Sequence, residues 1–87
     1  MAVYVDDYRC TYKEMIMCHM VADTHNELIG MVLYIGVHPK WIQCEGTYRE
    51  HFDLCLSKRE KAVKAGAIQI SVRELGKFIL AKRGGKQ

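Results

Sequence analysis

The sequence predicts one small α/β domain, with a mostly parallel sheet of three to four strands and about three helices. Clusters of β-branched and aromatic residues alternate along the chain with helical patterns. Three helix starts share one pattern, a hydroxyl residue followed three positions later by glutamate. A chain of 87 residues has room for one hydrophobic core. The domain is expected to span residues 1–81, followed by a frayed basic tail at 82–87.

The first half of the chain is predicted to contain two strands and one helix. Residues 2–6 are rich in β-branched and aromatic side chains, which favours a strand. Residues 15–21 form an apolar run that we interpret as another strand, although a buried helical turn has a similar pattern. Thr24 and Glu27 open the first helix, which the apolar spacing extends over residues 25–35 up to a glycine cap.

The second half is predicted to hold a βαβ unit. Strands at 52–56 and 67–70 flank a short polar helix that Ser57 and Glu60 open as a capping box. Strand, helix and strand in this order require parallel pairing and a right-handed crossover. A third helix follows Ser71, with helical spacing of its apolar residues.

The composition fits a cytoplasmic protein that does not contact membranes. The N-terminus carries two aspartates where a signal peptide needs a positive region. The longest apolar run, residues 28–37, contains glycines and has about half the length of a bilayer span. The formal net charge of +3 is small for a nucleic-acid-binding domain. The charge therefore leaves the class of partner open.

Asp6 and Asp7 end the first predicted strand. Ligands of open parallel sheets bind outside the carboxyl ends of the strands, so polar residues there are candidates for a site. Adjacent carboxylates supply oxygen ligands that Mg²⁺ or Mn²⁺ accepts, often together with phosphate oxygens. Aspartate also ends strands because it starts turns, and this structural interpretation stays open.

Ser57, Lys58 and Arg59 lie where a predicted strand passes into a helix. Free amides and the positive end of the helix dipole favour an anion at this point, and two cationic side chains reinforce the preference. The alternative is that Ser57 only caps the helix and that the cations form a solvated face. The chain lacks the glycine pattern of a phosphate-binding loop, which argues against a Walker-type nucleotide site.

His19, His51 and Asp53 form a further candidate group. In an extended chain His51 and Asp53 point to the same side, which permits proton transfer or metal binding. The alternative is that these histidines are structural and bond to the backbone. His51 belongs to the amino end of its strand, so it joins Asp6 at one sheet edge only if that strand starts after residue 52.

The loop over residues 39–50 carries Trp41 and Tyr48, next to Lys40 and Arg49. Aromatic rings flanked by cations resemble a stacking platform for a nucleotide base or for single-stranded nucleic acid. An aromatic side chain under a long loop is also a common satellite of a hydrophobic core. Both interpretations stay open.

Several short motifs together resemble a small bacterial and phage family known as domain of unknown function 4031, over nearly the whole chain up to the third helix. The matching motifs are VYVDD at 3–7, MCHM at 17–20, ADT at 22–24, IGV at 35–37, Trp41, HFDL at 51–54, SKR at 57–59 and GA at 66–67. The family supplies no activity. The resemblance implies a polar site at Asp6, Asp7, His19, Asp23, His51, Asp53, Ser57, Lys58 and Arg59. The chain departs from the family by carrying Ile29 in place of a histidine and by being longer between Trp41 and His51.

The leading hypothesis is a small domain that binds a phosphorylated or otherwise anionic ligand, such as a nucleotide or a nucleic-acid end. The helix start at Ser57, Lys58 and Arg59 would contact the anion, and Trp41 would contact the ligand. The residues that would supply specificity are Asp6, Asp7, His19 and His51.

Two other hypotheses stay open, and so does the question of whether the protein is an enzyme. One is a metal-dependent phosphoester hydrolase. Its Mg²⁺ or Mn²⁺ ion would be held by Asp6, Asp7, His51 and Asp53, and its candidate catalytic residues are these four and His19. The other is a phage accessory protein that binds a host protein through Trp41 and Tyr48.

Overall fold

The computed structural model describes residues 2–85, which form five strands, three α-helices and one short 3-10 helix. The strands are β1 Val3–Val5, β2 Cys10–Tyr12, β3 Met15–Ala22, β4 Phe52–Cys55 and β5 Ile68–Gln69. The α-helices are α1 His25–Ile35, α2 Leu56–Lys64 and α3 Val72–Gly85, and the 3-10 helix is Pro39–Trp41. The predictions of a small α/β domain with three helices and of a strand at residues 15–21 are confirmed.

Strand β3 is the centre of one five-stranded sheet. Met20 of β3 pairs with Val5 of β1 on one edge and with Phe52 of β4 on the other. Strand β2 continues along the β1 edge of β3, and β5 lies parallel to β1 on its outer side. All pairings of β3 are antiparallel. The prediction of a mostly parallel sheet of three to four strands is therefore wrong: the sheet has five strands, and only β1 and β5 pair in parallel among the described residues.

The expected βαβ unit is the source of this error. Strands β4 and β5 do run in the same direction, because β4 and β1 both oppose β3 and β5 is parallel to β1. They are not neighbours, since β3 and β1 lie between them in the sheet. The order strand, helix, strand thus predicted correctly that β4 and β5 run in the same direction. It did not predict that β1 and β3 lie between them.

Strands β1 and β2 are two parts of one long edge that is interrupted at residues 6–9. Val5 pairs with Met20, and Cys10 pairs with Met17. Four residues of this edge therefore lie opposite two residues of β3. An interruption of this kind is a β-bulge, which bends the strand and redirects its side chains. We call residues 6–9 the β1–β2 bulge.

The β2–β3 hairpin has no signal in the sequence, and β2 is absent from the sequence-based prediction. Its two-residue turn consists of Lys13 and Glu14, whose φ angles are 49° and 67°. Turns with two positive φ angles match the twist of the flanking strands, and they favour asparagine and glycine. Because this turn contains neither asparagine nor glycine, only the structure reveals it.

Of the three predicted capping boxes, the one at Ser71 forms in full and the one at Thr24 forms in part. The amide of Glu27 donates to Thr24 Oγ1 at 3.2 Å, and α1 covers residues 25–35 as predicted before Gly36 ends it with a φ of 84°. At the start of α3, the Glu74 amide donates to Ser71 Oγ at 3.1 Å, while the Ser71 amide donates to Glu74 Oε1 at 2.8 Å. These reciprocal bonds satisfy amides that the helix leaves unpaired.

The predicted capping box of Ser57 and Glu60 does not form. Helix α2 begins at Leu56, directly after β4, and Cys55 is its N-cap without a side-chain bond. Ser57 lies inside the first turn, and its Oγ is 3.3 Å from Cys55 Sγ. Helix α2 therefore begins without the side-chain cap bond, which usually contributes about 1 kcal/mol.

The hydrophobic core lies between one face of the sheet and helices α1 and α2. Alternate residues of β1, β3 and β4 face it, and its members include Val5, Met20, Phe52, Leu54, Leu28, Val32 and Ala62. Helix α3 covers part of the other face, where the Phe78 ring lies 4.9 Å from the Tyr4 ring. The remainder of that second face is open.

Helix α3 continues through Gly85, so residues 82–85 of the basic tail are helical. Lys82 Nζ donates to the carbonyl of Ala22 at 2.8 Å and so ties this end of the helix to β3. Residues 86–87 of the predicted tail lie outside the described residues. None of the helices within residues 2–85 combines the length and the apolar composition that a bilayer span requires.

Candidate metal centre

Three side chains meet on the open face of the sheet: His19, His51 and Asp53. Asp53 of β4 lies directly opposite His19 of β3 in the strand register. His51 precedes Asp53 by two residues, so strand alternation places it on the same face. A β-bridge between His51 and Gln43 extends the strand at this point, with N to O distances of 2.9 and 3.0 Å. We call these three side chains the histidine cluster; all are half-buried.

The buried carboxylate of Asp6 bonds to the His19 ring on the side opposite Asp53. Asp6 is fully buried, and its Oδ2 accepts a 2.7 Å hydrogen bond from His19 Nδ1. Its Oδ1 accepts bonds from the amides of His19 at 2.7 Å and of Tyr8 at 3.3 Å. Asp6 is the first residue of the β1–β2 bulge, and its side-chain oxygen takes the place of a backbone acceptor for the His19 amide. The His19 ring is therefore fixed in orientation and in tautomer.

Both histidines present the same ring nitrogen to Asp53. Since Nδ1 of His19 donates to Asp6, its Nε2 is left facing Asp53 Oδ1 at 3.8 Å. His51 Nδ1 donates to the carbonyl of Arg49 at 2.8 Å, which leaves its Nε2 at 3.5 Å from the same oxygen. A ring nitrogen with a fixed N–H on the opposite side is the usual form of a metal-binding histidine.

The carboxylate of Asp53 is oriented as well. Gln43 Nε2 donates to Asp53 Oδ2 at 2.6 Å, so Oδ1 is the oxygen that faces the two rings. The three candidate ligand atoms, one from each residue of the histidine cluster, lie within 4.8 Å of one another. Two imidazoles and one carboxylate at such spacing can hold one divalent ion and leave coordination positions open.

Asp6 and His19 shift each other's pKa in opposite directions. Burial raises the pKa of the Asp6 carboxyl, but hydrogen bonds from the His19 ring and from the His19 and Tyr8 amides outweigh it, so the pKa lies below 3.8. The bond to Asp6 raises the pKa of His19 above 6.5 against the effect of burial, and the charges of Asp6 and Asp53 add to this. The ion-free cluster therefore favours a protonated His19.

This pair is expected to stabilise the ion-free protein most between pH 3.8 and 6.5. The lowered pKa of Asp6 gives stability that is present above 3.8 and is lost as the pH falls through the folded-state pKa. The raised pKa of His19 gives stability that is present below 6.5 and is lost as the pH rises through the folded-state pKa.

Urea denaturation of the wild type and of His19→Asn, with a chelator and over a range of pH, measures this effect. The asparagine amide can still donate to Asp6, but it does not titrate. A difference in the free energy of unfolding that stays constant as the pH rises past the His19 pKa contradicts the expectation.

A cleft of about 590 Å³ lies beside the histidine cluster, with His19 and Asp53 in its wall. The Tyr8 ring stacks on the His19 ring with the centroids 5.0 Å apart and the planes at 24°. The other residues that shape the cleft include Tyr12, Met17, Val37, Trp41 and Gln43. Trp41, predicted as a ligand contact, therefore lies on the same cleft as the cluster.

The basic helix start is at the same sheet edge as Asp6, but its cations already have protein partners. Arg59 Nε donates to the carbonyl of Asp6 at 2.7 Å, and its Nη1 donates to Gln69 Oε1 at 3.1 Å. Lys58 Nζ donates to the carbonyl of Ile35, at the end of α1, at 3.1 Å. Ser57 contacts Cys55 Sγ. These side chains join α2 to its neighbours.

Two other predicted residues lie apart from the histidine cluster. Asp7 is exposed, and no hydrogen bond or ion pair connects it to the cluster within residues 2–85. Asp23, at the other end of β1, accepts hydrogen bonds from the Tyr4 hydroxyl at 3.1 Å and from the Ala2 amide at 2.7 Å. Of the four metal ligands predicted, His51 and Asp53 belong to the cluster, and Asp6 lies behind His19.

Sequence reasoning missed three contributors to the site. Gln43 orients Asp53, the Arg49 carbonyl orients His51, and Tyr8 stacks on His19. They come from the β1–β2 bulge and from the long loop, where no helical or strand periodicity exists. The backbone pairing of Gln43 with His51 brings the loop to the cluster, and no pattern in the sequence indicates that pairing.

Comparison with known proteins gives a family and no relative of known activity. Neither the curated proteins nor the solved structures contain a match to this chain. The match to a family model is extensive: it covers residues 3–82 and so includes β1 through most of α3. The chain therefore belongs to the family described as protein of unknown function (DUF4031).

Proposed function

We propose that this domain binds one divalent metal ion through His19 Nε2, His51 Nε2 and Asp53 Oδ1, and that it hydrolyses a phosphoester with it. The observation that carries the proposal is the convergence of these three atoms within 4.8 Å. Each ligand is also oriented by a second residue, which is the arrangement that tunes metal-binding histidines and carboxylates. Imidazole nitrogens favour Mn²⁺, Fe²⁺ or Zn²⁺ over Mg²⁺, which prefers oxygen ligands.

His19 and Asp53 of the cluster lie in the wall of the cleft, where a substrate has room to approach. Three protein ligands would leave coordination positions for a water and for a substrate oxygen, and a bound ion would lower the pKa of that water. In the hydrolysis, the water oxygen forms a bond to phosphorus and the ester P–O bond breaks. One water proton passes to the departing alcohol oxygen, and the hydroxyl stays on the phosphate.

The contacts of Lys58 and Arg59 favour this function over the binding of an anion at the helix start. Both cations bond to backbone carbonyls, and Arg59 also bonds to Gln69. An anion at this helix start would compete with these bonds. The hypothesis of a host-protein partner stays a prediction.

Isothermal titration of the chelator-treated protein with Mn²⁺ and with Zn²⁺ tests the metal site. We expect one ion per chain, and His51→Ala is expected to weaken binding by about 100-fold or more, since changes in residues behind a ligand already cost about 10–100-fold. His38→Ala is the matched control, because His38 is exposed and lies outside the cluster. Absence of ion binding, or equal losses in both variants, contradicts the site.

Hydrolysis of bis(p-nitrophenyl) phosphate with the bound ion tests the reaction. Release of p-nitrophenol is expected from the wild type and from His38→Ala, and it is expected to disappear in His51→Ala. A protein that binds the ion at this site but releases no p-nitrophenol above the rate of the free ion contradicts the hydrolase and leaves only the metal site.

A further inference from the structure

We infer that the cleft beside the histidine cluster binds a mononucleotide, with its base among Tyr8, Tyr12 and Trp41 and its phosphate at the cluster. For the phosphate end the inference rests on the proposed metal site. For the base end it rests on the aromatic side chains, the flanking cations and the size of the cleft.

The cleft exposes three aromatic rings. Tyr8 is 49% exposed, Tyr12 60% and Trp41 62%, although aromatic side chains usually bury much of their surface. All three border the same cavity, whereas the ring of Tyr4 packs on Phe78. Flat π faces stack on any nucleobase, so rings grouped in this way provide a site for a base.

Two lysines supply positive charge beside these rings. Lys13 Nζ lies 5.5 Å from the centre of the Tyr12 ring, and Lys40 Nζ lies 5.1 Å from the centre of the Trp41 ring. Both cations lie at the base end of the cleft, in cation–π contact with these rings. The phosphate end, at the histidine cluster, carries the Asp53 carboxylate instead, which repels a phosphate unless an ion lies between them.

This distribution of charge separates the two ends of the ligand. The base is expected to bind with or without an ion, whereas the phosphate is expected to add affinity only when the cluster holds one. Adenosine should therefore bind to the ion-free protein at least as tightly as its monophosphate does, and the monophosphate should bind more tightly than adenosine to the ion-loaded protein.

The size of the cleft favours one nucleotide over a nucleic-acid strand. A volume of about 590 Å³ lies within the range of about 300–1,000 Å³ for small-molecule sites. A strand also needs a continuous basic groove along its backbone, and the net charge of the chain is only +3.

Titrations followed by the fluorescence of Trp41, the single tryptophan of the chain, test the inference. The ligands are adenosine, the hydrolysis-resistant phosphonate analogue of adenosine monophosphate, and the corresponding analogue of ribose 5-phosphate, each with and without Zn²⁺. We expect the nucleotide analogue to bind at least about tenfold more tightly than the sugar analogue, which lacks a base. Zn²⁺ is expected to strengthen the binding of the nucleotide analogue but not the binding of adenosine.

Variants identify the place of the base. Tyr12→Ala is expected to weaken adenosine binding by at least about fivefold, and Tyr12→Phe is expected to restore it, because the ring and not the hydroxyl stacks. Tyr34→Ala is the matched control, since Tyr34 is 77% exposed and lies on α1 outside the cleft. Equal effects of Tyr12→Ala and Tyr34→Ala overturn the inference, as does equal affinity for the nucleotide and sugar analogues.

The same titrations distinguish this inference from the metal site. If the metal site is absent, adenosine still binds and Zn²⁺ adds nothing for the nucleotide analogue. If the base site is absent, Zn²⁺ binds but adenosine does not. A four-residue oligonucleotide that binds more than about tenfold tighter than the mononucleotide analogue would overturn the choice of occupant and indicate a strand.

Discussion

Replacement of Asp6 by alanine is expected to lower the free energy of unfolding by roughly 3 kcal/mol. Its carboxylate is fully buried and accepts bonds from the His19 ring, the His19 amide and the Tyr8 amide. Each buried donor that is left without an acceptor costs about 1–3 kcal/mol. Asp7→Ala is the matched control, because Asp7 is the next residue and is exposed. Urea denaturation of both variants measures the difference, and a similar small loss in the two would contradict the expectation.

Asp6→Asn separates stability from metal binding. The asparagine keeps the shape of the side chain and one acceptor oxygen, so the fold is expected to remain. It no longer offers a carboxylate oxygen to His19 Nδ1, and the ring loses the partner that fixes its tautomer. We expect a loss of about 10–100-fold in ion affinity by isothermal titration, with Asp7→Asn unchanged. An unchanged affinity in Asp6→Asn would show that His19 does not depend on this contact.

Phe52→Ala is expected to cost about 3–5 kcal/mol of stability, the usual range for loss of a buried ring. Phe52 is fully buried and is one of the largest side chains of the core between the sheet and helices α1 and α2. A domain of this length is stable by only about 4–13 kcal/mol. The Phe52→Ala variant is therefore expected to unfold at a clearly lower temperature than the wild type.

Thermal unfolding followed by circular dichroism checks this expectation against Tyr34→Ala. The Tyr34 side chain is 77% exposed, and its loss is expected to change stability by no more than about 0.5 kcal/mol. A cost below about 1.5 kcal/mol for Phe52→Ala would mean that the core collapses around the missing ring.

The sequence identified local elements better than their arrangement. Helix α1, the side-chain caps at Thr24 and Ser71 and the strand at residues 15–21 depend on residues close in the chain, and all were predicted. The position of β3 between β1 and β4 depends on long-range pairing, which no local pattern encodes. The β2–β3 hairpin was missed because Lys13 and Glu14 adopt a conformation that usually belongs to glycine or asparagine.

The site was predicted in part for the same reason. Alternation along one strand placed His51 and Asp53 on one side, and this required no knowledge of the sheet. The expectation of a site at the carboxyl edge of a parallel sheet made His51 difficult to include. In the antiparallel pairing His19 lies opposite Asp53 in the middle of the sheet face. Whether His51 and Asp53 lie near His19 therefore does not depend on where β4 starts. The role of Asp6 depends on the 2.7 Å hydrogen bond between His19 Nδ1 and Asp6 Oδ2, and no sequence pattern predicts that contact.

The β1–β2 bulge also bears on how such a site can arise. It places four residues opposite two, and because side chains alternate with a period of two, an insertion of two residues leaves β2 in phase with β1. A single inserted residue would turn every side chain of β2 to the opposite face. A plain hairpin can therefore gain the Asp6 and Tyr8 contacts to His19, or lose them, by a two-residue length change that leaves the rest of the sheet in register.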